Sequence, residues 1–270
     1  MPAPNEITVA QLNRLIGTPE CPDIVDLSIN ANFDTDPHLI PGAFRHPHTD
    51  PGGLRARLVN QKCVVVCQKG AKLSQGMAAW LRSDGVAAEY LSGGNLGWRD
   101  APDTDRIPAA AIPPTPDGTT VWVTRHRPKI DRIACPWLIR RFVDRSAQFL
   151  FVSPGEVANV AERFGATPFD VPDADFTHKG ALCTFDAMLD AFHLRSPALM
   201  RLAEIVRAAD TDQGETVPQA AGLLAFSVGL SRQYKDDQAQ LTAALPLYDA
   251  LYRWARDGQS ERHDWPGSHR

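Results

Sequence analysis

Four prolines fall within the thirteen residues from Arg106 to Gly118 (RIPAAAIPPTPDG), and no other feature constrains this chain as much. Proline fixes φ and has no N–H to donate, so neither a helix interior nor an inner strand can run through the stretch. It reads as an extended, semi-rigid linker that separates a domain at residues 1–105, across a linker at 106–118, from a domain at 119–270. A chain of 270 residues is long enough for two such domains, each with its own core. Apolar residues at 43% and charged residues at 22% exclude disorder and collagen-like structure. The formal charge of −4 lacks the basic excess that drives nonspecific nucleic-acid binding. With no helix-turn-helix signature either, no nucleic-acid partner is expected.

The longest nearly apolar run, Ala220 to Leu230, is half the ~20 residues a membrane helix needs, so no membrane partner is expected. The N-terminus, MPAPNEITVAQLNRL, has no basic segment followed by an apolar stretch and does not read as a secretory signal. Five cysteines are an odd number in a chain that does not need disulfides, and they read as reduced thiols of a cytoplasmic protein.

The first half alternates strand and helix signals. Ile24-Val25-Asp26-Leu27 and Lys62-Cys63-Val64-Val65-Val66-Cys67 are short apolar runs of the buried-strand type, and Ala88-Glu89-Tyr90-Leu91 is a third. Between the last two, Ser74 to Arg82 sets Met77, Ala78 and Leu81 on one helical face. Strand, helix, strand in this order predicts an α/β domain, a parallel sheet flanked by helices. The second half opens with strands at Thr120–Thr124 and Gln148–Val152. Helical patterns follow at Gly155–Phe164, Thr184–Phe192, Pro197–Ala209, Pro218–Leu230 and Asp237–Arg256. A mixed α+β, helix-rich domain is expected there.

The sharpest local signal is Cys67-Gln68-Lys69-Gly70-Ala71-Lys72-Leu73-Ser74, which ends an apolar strand and opens a helix. Parallel sheets place ligands there, beyond the carboxyl ends of their strands. A loop wrapped around Cys67 aims backbone N–H groups at the sulfur, the helix adds its positive end, and Lys69 and Lys72 add charge. All of these favour thiolate over thiol. Gly70 lets the loop curl without a Cβ penalty. Such a pocket suits a thiolate that attacks a sulfur donor and then holds a persulfide; it equally suits a bound oxyanion, and a plain buried cysteine beside a lysine-bearing loop gives the same spacing. Cys63, inside the apolar run, and Cys21, in a proline-flanked turn, carry no chemistry of their own.

These residues resemble a rhodanese-like sulfurtransferase domain. The match runs through Val25-Asp26-Leu27, His38-Leu39-Ile40-Pro41-Gly42-Ala43, the Cys67–Ser74 loop and Leu91-Ser92-Gly93-Gly94 with Trp98, across residues 5–100. The resemblance implies a rhodanese fold with Cys67 as the persulfide-forming nucleophile and Gln68, Lys69, Gly70, Ala71, Lys72 and Leu73 as its cradle. It also implies a small sulfur donor, a thiol acceptor, and no cofactor for the transfer. Two positions depart from the pattern. Ser28 stands where relatives carry arginine after the aspartate, and Lys72-Leu73 stands where Arg-Ser is usual; lysine keeps the charge but loses the bidentate fork.

From Val121 to Arg145 seven basic residues face two acidic ones, a local +5 that reads as a candidate anion funnel. Arg125, Lys129, Arg132 and Arg140 are the candidate anion-binding residues. Asp131 is a candidate N-cap, Pro136 an alternative helix start, and Ile133, Trp137 and Phe142 are expected to pack inward. Further on, His178 and Cys183 are five residues apart, Asp186 follows three later, and Asp210 closes a helix. Thr184 is a plausible N-cap. Imidazole, thiolate and carboxylate together suit a transition metal, with His178 and Asp210 as candidate ligands, though the spacing matches no closed zinc motif.

The second half also resembles a family, the C-terminal domain of ChrB-type chromate-resistance proteins. The resemblance rests on the run Arg127 to Phe142, Phe176-Thr177-His178 with Cys183-Thr184-Phe185-Asp186, Ile205 to Asp210, Ala220-Ala221-Gly222-Leu223 and Tyr248-Asp249-Ala250-Leu251. It implies a role in tolerance to, or sensing of, chromate, a tetrahedral dianion shaped like sulfate. Full-length regulators of that family place a DNA-binding segment before this domain, where a rhodanese-like domain stands here. Two functions follow as expectations. One is a sulfurtransferase with Cys67 as carrier and a C-terminal oxyanion or metal site; the alternative is a non-catalytic chromate or oxyanion sensor.

Overall fold

The computed structural model describes residues 5–58, 62–114, 118–211 and 217–261. Two compact units make up the chain. One comprises Met1–Val121, Leu138–Gln148 and Ala191–Leu194; the other comprises Trp122–Trp137, Phe149–Asp190 and Arg195–Arg270.

In the first unit β1 (Glu6–Ile7), α1 (Val9–Leu15), β2 (Asp23–Asp26), α2 (Asn30–Phe33), β3 (His38–Leu39), β4 (Ala43–Arg45), α3 (Pro51–Arg57), β5 (Lys62–Val66), α4 (Lys72–Ser83), β6 (Ala87–Leu91), α5 (Gly94–Asp100) and β7 (Ile107–Pro108) follow one another. Five of the strands form a sheet in the order β1-β6-β5-β2-β4, parallel at every pairing. The expectation of a parallel sheet flanked by helices is borne out. Central β5 is buried from Cys63 to Val66, which explains its unbroken apolar run. On one face Met77, Ala78 and Leu81 of α4 pack with Val25, Leu27, Leu54, Cys63, Val65 and Ala88. Each fully buried Val or Leu side chain among them contributes about 1.5–3 kcal/mol.

Local chemistry sets the helix starts. Thr8 and Gln11 form a reciprocal capping box at α1, and Asp50 accepts from Gly53 N at 2.9 Å while Pro51 opens α3. The start of the proline-rich stretch is tied down: Ile107 and Pro108 pair antiparallel with Leu39 and His38, and Ala109–Ala111 form a 3-10 turn. Arg106 reaches Asp36 at 2.5 Å. Residues 106–111 are therefore part of the first unit, because Ile107 supplies an apolar side chain that is 1% exposed.

The remaining elements are β8 (Val121–Arg125), α6 (Asp131–Leu138), β9 (Gln148–Val152), α7 (Val157–Phe164), β10 (Thr167–Pro168), α8 (Thr184–Ala191), α9 (Pro197–Asp210), α10 (Pro218–Gln233) and α11 (Asp237–Arg253). A three-stranded sheet runs β10-β8-β9, with β10 parallel to β8. Helices outnumber strands, as the pattern predicts; the two-residue β10 is too short to show a period in the sequence.

Pro136 starts no helix, contrary to one expectation. It lies inside α6, where it removes one backbone bond, and from Ile139 to Val143 the chain continues as a π-turn closed by Asp144 N to Ile139 O at 2.8 Å. Ile133, Trp137 and Phe142 are buried as expected. Trp137 is surrounded by Phe185, Tyr248 and Tyr252 at ring distances of 6.5, 6.3 and 5.4 Å, and its indole N–H donates to Asp249 at 2.8 Å. Among the described residues, no helix is long and apolar enough to cross a membrane.

Candidate functional site

Cys67 is the residue at which β5 leaves the sheet, and the turn that follows is shaped by backbone contacts. Its carbonyl accepts from Asn95 N at 3.0 Å, and the Gln68 carbonyl accepts from Leu96 N at 3.0 Å, which fastens the loop to the start of α5. Gly70 and Gly94 press together with φ of +64° and +59°. A Cβ on Gly94 would collide with the Cys67 carbonyl and Gly70 N and lie 2.9 Å from the Gln68 carbonyl carbon. Both glycines are therefore required, for the left-handed backbone and for the close approach.

The cradle bends the loop amides around the sulfur. Burial pushes the Cys67 thiol up, but the Ser74 hydroxyl and the backbone N–H groups of Ser74, Ala71 and Lys69 outweigh it, so the thiol lies below its ordinary value. Ser74 Oγ sits 3.2 Å from Cys67 Sγ and 3.2 Å from Ala71 O, so the hydroxyl proton can turn to a thiolate. Lys69, Ala71 and Lys72 are exposed, Gln68 and Leu73 half-buried. Gln75 fixes the loop further by donating to the Gly70 carbonyl at 3.2 Å. The other two cysteines of this unit behave oppositely: burial pushes Cys63 to about 12 and Cys21 to about 11. A small cleft of about 60 Å³ opens beside Gln68, bordered by Ser28, His38, Asn95, Arg99 and Arg106. Asn95 donates to the Ser28 hydroxyl at 3.1 Å, a neutral contact at the position where a rhodanese-like pattern carries charge.

In the second unit the polar centre is built on three carboxylates and a histidine. Asp131, the first residue of α6, is 1% exposed. Its carboxylate does not cap its own helix; it accepts from Thr184 N at 2.6 Å and Phe185 N at 3.4 Å, and so caps α8. Thr184 does not cap either, because its hydroxyl donates to Asp170 Oδ1 at 3.0 Å. Asp170 Oδ2 accepts Arg125 at 3.0 Å and Arg132 at 3.2 Å. His178 Nε2 lies 3.4 Å from Asp131 Oδ2, 3.5 Å from Asp170 Oδ1 and 3.2 Å from Asp210 Oδ2.

Hydrogen bonding to Asp131 leads the causes that raise His178 to about 9, with the Asp210 and Asp170 charges adding to it. Burial and the neighbouring Asp131 and Asp170 charges push Asp210 up to about 6. His178 and Asp210, paired on sequence grounds, do meet. Cys183 and Asp186 keep a different company: Cys183 Sγ is 3.3 Å from Asp186 Oδ2, Asp186 pairs with Arg207 at 2.6 Å, and burial pushes the thiol far up.

The basic stretch is not one open funnel. Arg125 and Arg132 both turn to Asp170, Arg132 also donates to the His126 carbonyl at 3.0 Å, and Arg140 donates to the Ala147 carbonyl at 3.2 Å. Lys129 is exposed. Sequence reasoning missed Asp170 and gave Asp131 only a capping role. Asp170 is one of three aspartates within FDVPDAD, and nothing in that run marks which one turns inward. It also missed Ser74 as a partner of the sulfur, although Ser74 closes the loop in the first turn of α4, where its hydroxyl can reach back. His263 and His269 lie outside the described residues.

Residues 122–255 match the family model described as the ChrB C-terminal domain. Protein ChrB of Cupriavidus metallidurans is 31% identical over 191 residues, covering 66% of this chain, and the chain spans 57% of that relative's length. Among solved structures, a rhodanese-like domain protein from Staphylococcus aureus is 24% identical. That match covers 35% of this chain and 90% of the other, with a TM-score of 0.31. A rhodanese-related protein from Thermoplasma volcanium is 16% identical, with 36% and 91% covered and a TM-score of 0.31.

Proposed function

We propose that this protein is a chromate-resistance protein in which Cys67 carries sulfane sulfur as a persulfide, on the premise that residues 122–255, which match the ChrB C-terminal domain model, are such a domain. The observation that carries the reading is the ring of donors around the sulfur, the Ser74 hydroxyl and the amides of Ser74, Ala71 and Lys69, which lowers the Cys67 thiol against its burial. The same donors suit the negative charge of the persulfide that would replace the thiolate.

Thiosulfate represents the donor class. The Cys67 thiolate attacks the outer sulfur, the S–S bond of thiosulfate breaks, and sulfite leaves with the electron pair. Cys67 then holds the outer sulfur as a persulfide anion. An acceptor thiolate attacks that terminal sulfur, takes it, and returns Cys67 as thiolate. No redox partner or cofactor enters the balance. Arg99 and Arg106 border the cleft beside Gln68, paired with Asp100 and Asp36, so the charge that would meet a tetrahedral dianion such as thiosulfate or chromate is that of the exposed Lys69 and Lys72 on the loop itself.

The intact mass of the reduced protein is recorded after incubation with thiosulfate or inorganic polysulfide, beside Cys67→Ser. The reading expects a gain of one sulfur atom in the parent alone, removed by added cyanide or thiol. An equal gain in Cys67→Ser, or no gain from either donor, overturns it.

A further inference from the structure

Three carboxylate oxygens, Asp131 Oδ2, Asp170 Oδ1 and Asp210 Oδ2, converge on the single nitrogen Nε2 of His178 at 3.4, 3.5 and 3.2 Å. A protonated imidazole offers one hydrogen at that nitrogen, and it can point at only one of the three. The ordinary account, an ion pair, therefore leaves two of the contacts without a proton between them. The spacing has a different natural explanation. In a tetrahedral site with a metal–nitrogen or metal–oxygen distance of about 2.0–2.1 Å, neighbouring ligand atoms lie about 3.3–3.4 Å apart. His178 Nε2 keeps that separation from Asp131 and from Asp170, and the three ligand atoms lie within 4.8 Å of one another.

We propose that His178, Asp131 and Asp170 form a site for a divalent first-row transition ion, with Asp210 Oδ2 3.2 Å from the His178 nitrogen. Nitrogen and carboxylate oxygen suit Zn²⁺ and its neighbours better than a soft-thiolate ion. The surroundings hold each ligand in place. Thr184 donates its N–H to Asp131 Oδ2 and its hydroxyl to Asp170 Oδ1, occupying one lone pair on each and leaving the other to face Nε2. Arg125 and Arg132 take the far oxygen of Asp170. Outer-shell donors of this kind orient metal-binding carboxylates. Asp131 and Asp170 are 1% and 7% exposed, so these are not acids gathered on a solvated face. His178 has a side chain 40% exposed, which leaves a path for an ion to enter. The site is separate from the Cys67 reading and stands or falls without it.

The test is equilibrium dialysis of the full chain against Zn²⁺, with metal analysis, for the parent, His178→Ala, Asp210→Asn and, as a control, His193→Ala. One equivalent is expected in the parent and in His193→Ala. His178→Ala should bind more than about tenfold more weakly, and Asp210→Asn should weaken binding by a smaller factor. Substituted Co²⁺ should give the strong visible bands of a tetrahedral ion without the near-ultraviolet charge-transfer band of a thiolate ligand, which separates this site from any zinc held by cysteine. Equal binding by the parent and His178→Ala overturns the site, as does a thiolate band. If His178→Ala fails to fold, the His178 Nε2 resonance of the parent decides: it must shift on addition of one equivalent of Zn²⁺, and an unmoved resonance leaves only a protonated histidine among carboxylates.

Discussion

Replacing Gly94 with alanine should damage the Cys67 loop more than any change to the loop's own exposed side chains. The added Cβ meets the Cys67 carbonyl, Gly70 N and the Gln68 carbonyl carbon, all backbone atoms, so no rotamer change relieves the clash. A left-handed φ of +59° costs a non-glycine residue about 1–2 kcal/mol. Forcing a methyl group into filled space costs about 1–3 kcal/mol more. Together the loss is about 2–5 kcal/mol, a large share of the roughly 5–15 kcal/mol that holds a domain folded. Gly76, on an exposed turn of α4, meets nothing within 4 Å, and alanine there should stabilise by about 0.5–1 kcal/mol. Urea denaturation of both variants, followed by far-ultraviolet circular dichroism, gives the two changes with opposite sign. Thiolate absorbance against pH adds a second readout: Gly94→Ala opens the amide ring and should move the Cys67 titration upward. If Gly94→Ala were as stable as the parent with an unchanged titration, the contact between the two glycines would not be what shapes the loop.

Cys67 alkylation by iodoacetamide should accelerate with a midpoint below that of an ordinary thiol, and Ser74→Ala should move the midpoint back up; a midpoint at or above the ordinary value in the parent contradicts the donor ring. The same shift has a stability consequence: the folded state favours the thiolate, so its contribution is fully present above the ordinary thiol pKa and fades as pH falls through the lowered one. Parent and Cys67→Ser should therefore diverge in urea midpoint as pH rises toward 9.0. Asp186→Ala removes the partner of the half-buried Arg207 and the acceptor for the Cys183 amide and thiol; leaving the buried amide unpaired costs about 1–3 kcal/mol, read as a lowered urea midpoint, and an unchanged midpoint would show that water replaces the carboxylate.

What the sequence made legible follows from the range of the interactions involved. The parallel sheet was readable because central β5 is buried from Cys63 to Val66 and so carries an unbroken apolar run, with the buried Ile24-Val25 pair of β2 and the alternating pattern of β6 on either side, signals held within five residues. Cys67 was readable for the same reason: strand, cysteine, glycine and helix are adjacent in the chain. The clamp that makes its loop rigid was not, because Gly94 and Asn95 come from another turn more than twenty residues on, and only the fold brings their backbones to Gly70 and Cys67. The His178 cluster lies at the far end of that scale. Its four members are drawn from the start of α6, the segment after β10, the loop before α8 and the last residue of α9, and no two are within seven residues of each other. Residue type alone could nominate His178 and Asp210. Asp131 looked like a helix cap and is one, but for α8 rather than for α6, and that exchange is what turns its second oxygen lone pair toward the histidine. A capping aspartate that serves a helix distant in sequence can hold a carboxylate in the interior with its amide donors already paired, which removes the penalty that would otherwise exclude the charge. The local misreading and the candidate site thus have one physical origin.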